Sequence, residues 1–299
     1  MFSNTELLWN IGILAIDSIS LLMTLPEYVF IQVVIILEWR KNKRFDISDQ
    51  LISGLGLLSL IHKISQVNMR YTSVRDGLHS LIFFSSLSFN VTCNFINLCT
   101  LLFSTWLSIH FCLKIVNINH NLYIYIHRMF PKMFPWILFP SVLVSLLISG
   151  PYAYDFAQLY SNSTVFLLPS YFTNIFLSLK LYFAFYSFCF IGLCIPLLVT
   201  IVSLYRHIHQ MQSHSLRSDS VKAHIHVVIT LVSLLCLNFL HFLLPILIMF
   251  EGKEVHLMNI NILLLEIWHF FDLPVLIRGN KKLQKKLYEM WLHFTSLVS

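Results

Sequence analysis

The chain has 299 residues, of which 57% are hydrophobic and 11% charged, with a formal net charge of +6. A soluble globular domain carries roughly 25% charged residues, and the mean hydropathy here is +0.74. A soluble domain built around one large core is therefore excluded, and most of the chain must face lipid or other helices. The basic excess is no nucleic-acid signal, since no basic patch is interleaved with aromatics on a hydrophilic helix.

In chain order, apolar periodic runs predict seven helices, at about 12–37, 47–67, 89–115, 135–150, 181–204, 225–249 and 257–277, with a tail over 278–299, all in one domain. The first contains Pro26, which can kink it, and closes at Glu38-Trp39-Arg40-Lys41-Asn42-Lys43-Arg44, a charged loop with an interfacial Trp. The second starts near Ser48-Asp49, with Ser48 a plausible N-cap. Residues 68–78 read as a short polar link. In the third, Lys114 is the first strong charge met since Asp76, and a lone Lys at a helix end snorkels to the head groups. This helix is expected to be the one around which the others gather.

Residues 117–134 read as a polar, aromatic link. The fourth helix is expected to stop at Gly150-Pro151. The link 151–178 carries Asn162-Ser163-Thr164, an N-glycosylation acceptor if it faces the lumen. The fifth helix contains Pro196, and Arg206–Lys222 forms a loop rich in His, Gln and Ser. The tail reads as a short amphipathic helix on the membrane. All six cysteines fall in apolar stretches, so no disulfide framework or metal knuckle is expected. No cleavable signal peptide is expected, because the first apolar run lacks a basic flank and is too long.

Seven spans put the termini on opposite sides. With the N-terminus outside, fifteen Lys and Arg fall on the cytoplasmic side against five outside, Lys63, Arg70, Arg75, Lys180 and Lys253. This fits the positive-inside rule, and Asn162 then faces outward. The expected fold is all-α, a seven-transmembrane helix bundle with an extracellular N-terminus and a cytoplasmic C-terminus, as in a G-protein-coupled receptor.

Particular residues sharpen this. The third helix ends in Leu107-Ser108-Ile109 and Leu113-Lys114-Ile115-Val116-Asn117. Ser203-Leu204-Tyr205-Arg206-His207 and Gln210-Met211 follow the fifth helix, and Lys222-Ala223-His224-Ile225 enters the sixth. Leu276-Ile277-Arg278-Gly279-Asn280-Lys281-Lys282-Leu283 follows the seventh. These stretches resemble the type 2 taste receptor family, the bitter taste receptors, at nearly every cytoplasmic boundary. The absence of D-R-Y, N-P-x-x-Y and an outer-loop cysteine separates the chain from rhodopsin-like receptors. The chain departs from the family pattern at Glu27-Tyr28-Val29, where the family has G-N-G. Ser59 stands where it has Arg in the second helix, and Asp272-Leu273 where it has H-S. Tyr28 and Ser59 can still hydrogen-bond.

The resemblance implies a chemosensory receptor in the plasma membrane, multi-pass, that binds small bitter compounds between its helices. Its partners would be a heterotrimeric, gustducin-like G protein and membrane lipid. No cofactor and no nucleic acid are implied. Asn97 falls on the third-helix Asn that family members use for agonists, with Cys93 one turn above; an interhelical hydrogen bond is the alternative for Asn97. Lys114, His207, Lys222 and His224 are the candidates for G-protein coupling or the resting-state lock; the alternative is that Lys114 only anchors its helix and the histidines are solvated. Glu266, His269 and Asp272 share one side of the seventh helix. They can serve as ligand contact, as a cation or proton site, or as a polar seam toward His241. Glu266 is the ligand-binding candidate among them.

A transporter would show a repeat or helices broken at the midplane, and no repeat is present. An intramembrane enzyme would need further ligands beside the seventh-helix trio, and only His241 is available. No H-E-x-x-H, G-x-S-x-G or phosphate-loop motif occurs, so an enzyme is not expected. A vomeronasal type 1-like pheromone receptor shares the fold class but lacks the L-K-I-x-N exit.

Overall fold

The computed structural model describes residues 4–43, 46–76, 82–116, 121–161, 169–213, 218–250, 270–271 and 273–298. The long elements are α1 (Asn4–Asn42), α2 (Ile47–Asp76), α3 (Ile82–Ile115), α4 (Asn121–Ser161), α5 (Pro169–Ser213) and α6 (Ser218–Phe250). Residues 270–271 and 273–279 form the described part of α7, and α8 is Lys281–Val298. Most of the expected seventh span, with Glu266, His269 and Asp272, lies outside the described residues, as does Asn162.

Five helical stretches are long and apolar enough to cross a membrane, namely Ile11–Lys41, Val91–Ile115, Tyr123–Tyr154, Leu177–Gln210 and His224–Leu243. Their outward faces carry large apolar side chains such as Leu22, Trp136, Phe139 and Phe188, all strongly exposed. Such a surface suits lipid, not water.

α3 is the hub. It packs against α2, α4 and α5, while α1 lies on α2 and α6 on α5. Leu98, Leu101 and Leu107 of α3 are fully buried, together with Leu51 of α2, Phe134 of α4 and Leu193 of α5. Gly54 lets α2 approach α3 closely: a Cβ there would lie 2.5 Å from the Phe103 ring. Gly279 plays the same part between α7 and α6, where a Cβ would sit 2.9 Å from the Thr230 methyl.

The helices run further than expected. α4 begins at Asn121 and passes through Gly150-Pro151 to Ser161, with Pro131, Pro135, Pro140 and Pro151 inside it. The expected stop fails because a backbone in hydrocarbon has no water to bond to. Losing one N–H to proline costs less than leaving the helix. Hydroxyls also bond back to the turn, Ser141 to the Ile137 carbonyl (2.7 Å) and Ser145 to the Ser141 carbonyl (2.9 Å). The expected links at 68–78, 117–134 and 151–178 shorten accordingly. α2 continues to Asp76, and α5 already starts at Pro169, where a first-turn proline has no hydrogen bond to lose. The loop expected over Arg206–Lys222 shortens in the same way, since α5 reaches Ser213 and α6 starts at Ser218.

α2 differs from the other long helices. It is not among the five apolar spans, and it buries Ser59, His62 and Lys63. Lys63 was expected among the outer charges, yet it is 1% exposed and donates to Ser20 Oγ of α1 at 3.0 Å. The reason is that α2 lies between α1 and α3 and meets protein on both sides. Polar side chains there find partners that lipid would deny them. Tyr28 is also buried, and Ser59 Oγ has no hydrogen-bond partner among the described residues. One step along the same seam, Gln32 and Ser53 bond reciprocally, Nε2 to the Ser53 carbonyl at 2.8 Å and Ser53 Oγ to Oε1 at 2.6 Å.

Candidate functional site

Two groups of residues stand out, one within the bundle and one at the end that carries α8. The first lies where α3, α4, α5 and α6 meet. Asn97 and Cys93 are half-buried on α3, and Cys93 lies within electrostatic reach of Tyr182 on α5. Tyr182 donates to the Asn94 carbonyl at 3.5 Å, next to this pair. Tyr182 is fully buried and stacks on Tyr152 of α4, centroids 4.7 Å apart, and on Tyr186 one turn along α5, at 5.9 Å. Tyr186 stacks in turn on Phe242 of α6 (5.5 Å), and Phe242 on Phe190 (4.1 Å). The i, i+4 spacing of 182, 186 and 190 puts the three rings on one face of α5.

This ladder offers flat apolar faces with hydroxyl edges, the chemistry of a small-molecule site with few polar anchors. Tyr186 ties α5 to α6, its hydroxyl donating to the His241 carbonyl at 3.1 Å and lying 3.5 Å from Nδ1 of the same residue. His241 therefore packs toward α5. The expected partners on α7 lie outside the described residues.

At the other end α1 stops at Lys43, which adopts a left-handed turn (φ 48°) with its N–H on the Trp39 carbonyl at 2.8 Å. α2 then starts beside α8. Lys282 bridges Asp46 and Asp49, the latter at 3.0 Å. Asn280 caps α8, its side-chain oxygen accepting from the backbone N–H groups of Lys282 (3.0 Å) and Leu283 (3.4 Å). Its amide donates to Asp49 at 3.5 Å. The hydrogen bond from Lys282 pulls the Asp46 pKa below the usual carboxylate value, against partial desolvation. Desolvation opposes the Lys282 ammonium, but the bonds to Asp46 and Asp49 outweigh it and raise its pKa.

α3 ends at Ile115, and the Tyr123 hydroxyl of α4 donates to the Val116 carbonyl just beyond it, with the carbonyls of Cys112 (3.1 Å) and Leu113 (3.2 Å) also within reach. Lys114 is exposed in this last turn, where a cation suits the helix dipole, and it acts on Asp46 across the gap to α2. His207 of α5 and His224 of α6 meet edge to face, centroids 5.4 Å apart. His226 of α6 lies 3.2 Å from the Gln284 amide of α8. Of the sequence candidates, His207 and His224 are in contact, while Lys114 lies within electrostatic reach of Asp46. Lys222 is helical in α6. No group of three or more His, Cys, Asp or Glu among the described residues is placed to hold a metal.

A family model described as Taste receptor protein (TAS2R) matches residues 6–295, nearly the whole chain. The chain belongs to this family of taste receptors. Relatives agree. Taste receptor type 2 member 41 of Pan paniscus is 30% identical over 232 residues, covering 72% of this chain and 73% of that one. The same receptor of Rattus norvegicus is 30% identical over 224 residues, covering 70% and 71%. Taste receptor type 2 member 119 of Rattus norvegicus is 26% identical over 229 residues, covering 72% and 67%. The family's seven-helix bundle accommodates every described helix here, with α8 as the tail. Its members are receptors, so the chain is not an enzyme.

Sequence reasoning missed the Tyr152–Tyr182–Tyr186 ladder and the bridge from Lys282 to Asp46 and Asp49. The i, i+4 tyrosines were visible as a signal. The bridge was not, because its partners are more than 230 positions apart.

Proposed function

We propose that this taste receptor detects small bitter-type compounds between its helices and passes the signal to a heterotrimeric G protein, gustducin-like, from the plasma membrane. The observation that carries this reading is the family match over residues 6–295. Within the bundle the ligand contacts Asn97 and Cys93 of α3, beside the aromatic ladder of α5, with Glu266 of the seventh helix completing the site. A ligand drives signalling only if it binds one helix arrangement better than the other, so the interfaces of α3, α5 and α6 are where the difference must arise.

The N-terminus lies outside and the α8 end faces the cytoplasm, where Lys114, His207, Lys222 and His224 engage the G protein or hold the resting state. The Lys and Arg bias supports this orientation, and it places Asn162 outside as a glycan acceptor. Agonist-driven calcium release in cells expressing the chain with a promiscuous Gα subunit tests the function. Loss of a glycosidase-sensitive mobility shift in Asn162→Gln tests the orientation; a wild-type chain that carries no glycan at Asn162 in a glycosylating cell would speak against it.

A further inference from the structure

A groove runs between α1, α7 and α8. Its walls are Pro26 and Phe30 of α1, Pro274 and Ile277 of α7, and Leu287 and Met290 of α8. Glu27, Arg278 and Gln284 complete the lining. The groove opens beside exposed apolar side chains of α1, among them Val29 and Val33, so in a bilayer it opens toward lipid.

The charge is uneven along it. At the α8 end, Arg278 is exposed, and no acidic side chain among the described residues is paired with it. Gln284 donates to the Arg278 carbonyl at 2.7 Å and ties the guanidinium-bearing turn to α8. Lys285 and Lys286 share one carboxylate, Glu289, at 3.9 Å and 2.8 Å, which leaves this patch positive. Tyr288 and Trp291 stand exposed beside them, as aromatic residues do at a head-group interface. Glu38 of α1 lies in electrostatic reach of Lys286, and apart from Glu27, Arg278 and Gln284 the lining is apolar.

We infer that the groove holds one anionic phospholipid, its phosphate on Arg278, the cation of the lining, in the field of the nearby Lys285 and Lys286, and one acyl chain against Phe30, Pro274 and Ile277. The charge pattern fixes the direction. The Arg278 side attracts an anionic head group, and the apolar side chains that make up most of the remaining lining take hydrocarbon. Lys282 takes no part, because Asp46 and Asp49 already hold it. The site is distinct from the agonist region between α3 and α6, and its occupancy needs no agonist.

The test uses the full chain in nanodiscs of phosphatidylcholine containing a minority of phosphatidylserine. The complex is released into mild detergent, and retained lipid is counted by native mass spectrometry. The expected result is preferential retention of one phosphatidylserine. The preference falls by about fivefold for each basic residue removed in the R278Q/K285Q/K286Q series, and R278K/K285R/K286R keeps it. Phe30→Trp fills the groove without touching a charge and also lowers retention. Equal retention of both lipids by the wild-type chain overturns the inference. So does a preference that Phe30→Trp leaves intact, which means diffuse attraction to the basic tail. Helix content by circular dichroism shows that each variant is folded, and no outcome depends on whether an agonist is known.

Discussion

The Tyr186 hydroxyl of α5 donates to the backbone carbonyl of His241 on α6, 3.1 Å away, and both residues are fully buried. Because the acceptor is backbone, the bond reports the distance between two helices and not the identity of residue 241. Replacing Tyr186 by Phe keeps the stacked ring and removes only the tie. The expected cost is about 1 kcal/mol, read as a lower melting temperature of the purified receptor. His241→Ala keeps the acceptor and should lower the melting temperature mainly through lost packing. If Y186F melts with wild-type, the tie contributes nothing.

Gly54 is predicted to be intolerant of a side chain. A Cβ at 2.5 Å from the Phe103 ring forces α2 and α3 apart or the ring out of its rotamer. Overpacking of this kind costs about 1–3 kcal/mol. Gly54→Ala should therefore reduce surface expression and thermal stability, and adding Phe103→Leu should restore part of both. A Gly54→Ala receptor with wild-type stability would show that the helices separate at no cost.

The bridge between α8 and α2 gives a defined pH window. Asp46 has a lowered pKa, so its contribution is present above the usual carboxylate value of about 3.9 and is lost as pH falls through the lower folded value. Lys282 has a raised pKa, so its contribution is complete below about 10.4 and is lost as pH rises through the higher folded value. The separation of probes on α8 and the start of α2 should stay constant from about pH 5 to 9 and widen only outside that window. Lys282→Ala should widen it at neutral pH. A separation that changes inside that window would show that the bridge does not hold α8 against α2.

Lys114 sits exposed at the end of α3 and acts on Asp46. Lys114→Ala should reduce agonist-driven signalling with surface expression unchanged. Equal signalling at equal expression would leave Lys114 a helix anchor only.

What the sequence disclosed follows from where the signals are local. The exit of α3 at Lys114 and the Gly279-Asn280-Lys281-Lys282 turn into α8 are set by neighbours along the chain, and both lie close to where the sequence placed them. α4 was misread at Gly150-Pro151 because the rule that stops helices at Gly-Pro assumes water as the competing partner. Lys63 was misread as an outer charge because the α1–α2 contact that buries it joins residues 43 positions apart. In the candidate site, Asn97 and Cys93 were proposed from the family resemblance and their depth on α3, and the structure shows them half-buried beside Asn94. Tyr182 and Tyr186 were passed over because tyrosines in an apolar run look the same whether they face lipid or another ring.

The most direct test of the central claim is calcium release in cells expressing the chain with a promiscuous Gα subunit, challenged with a panel of bitter compounds. The account predicts a dose-dependent response that disappears in Asn97→Ala while surface expression is retained. A response that Asn97→Ala leaves unchanged, at equal surface expression, would contradict it.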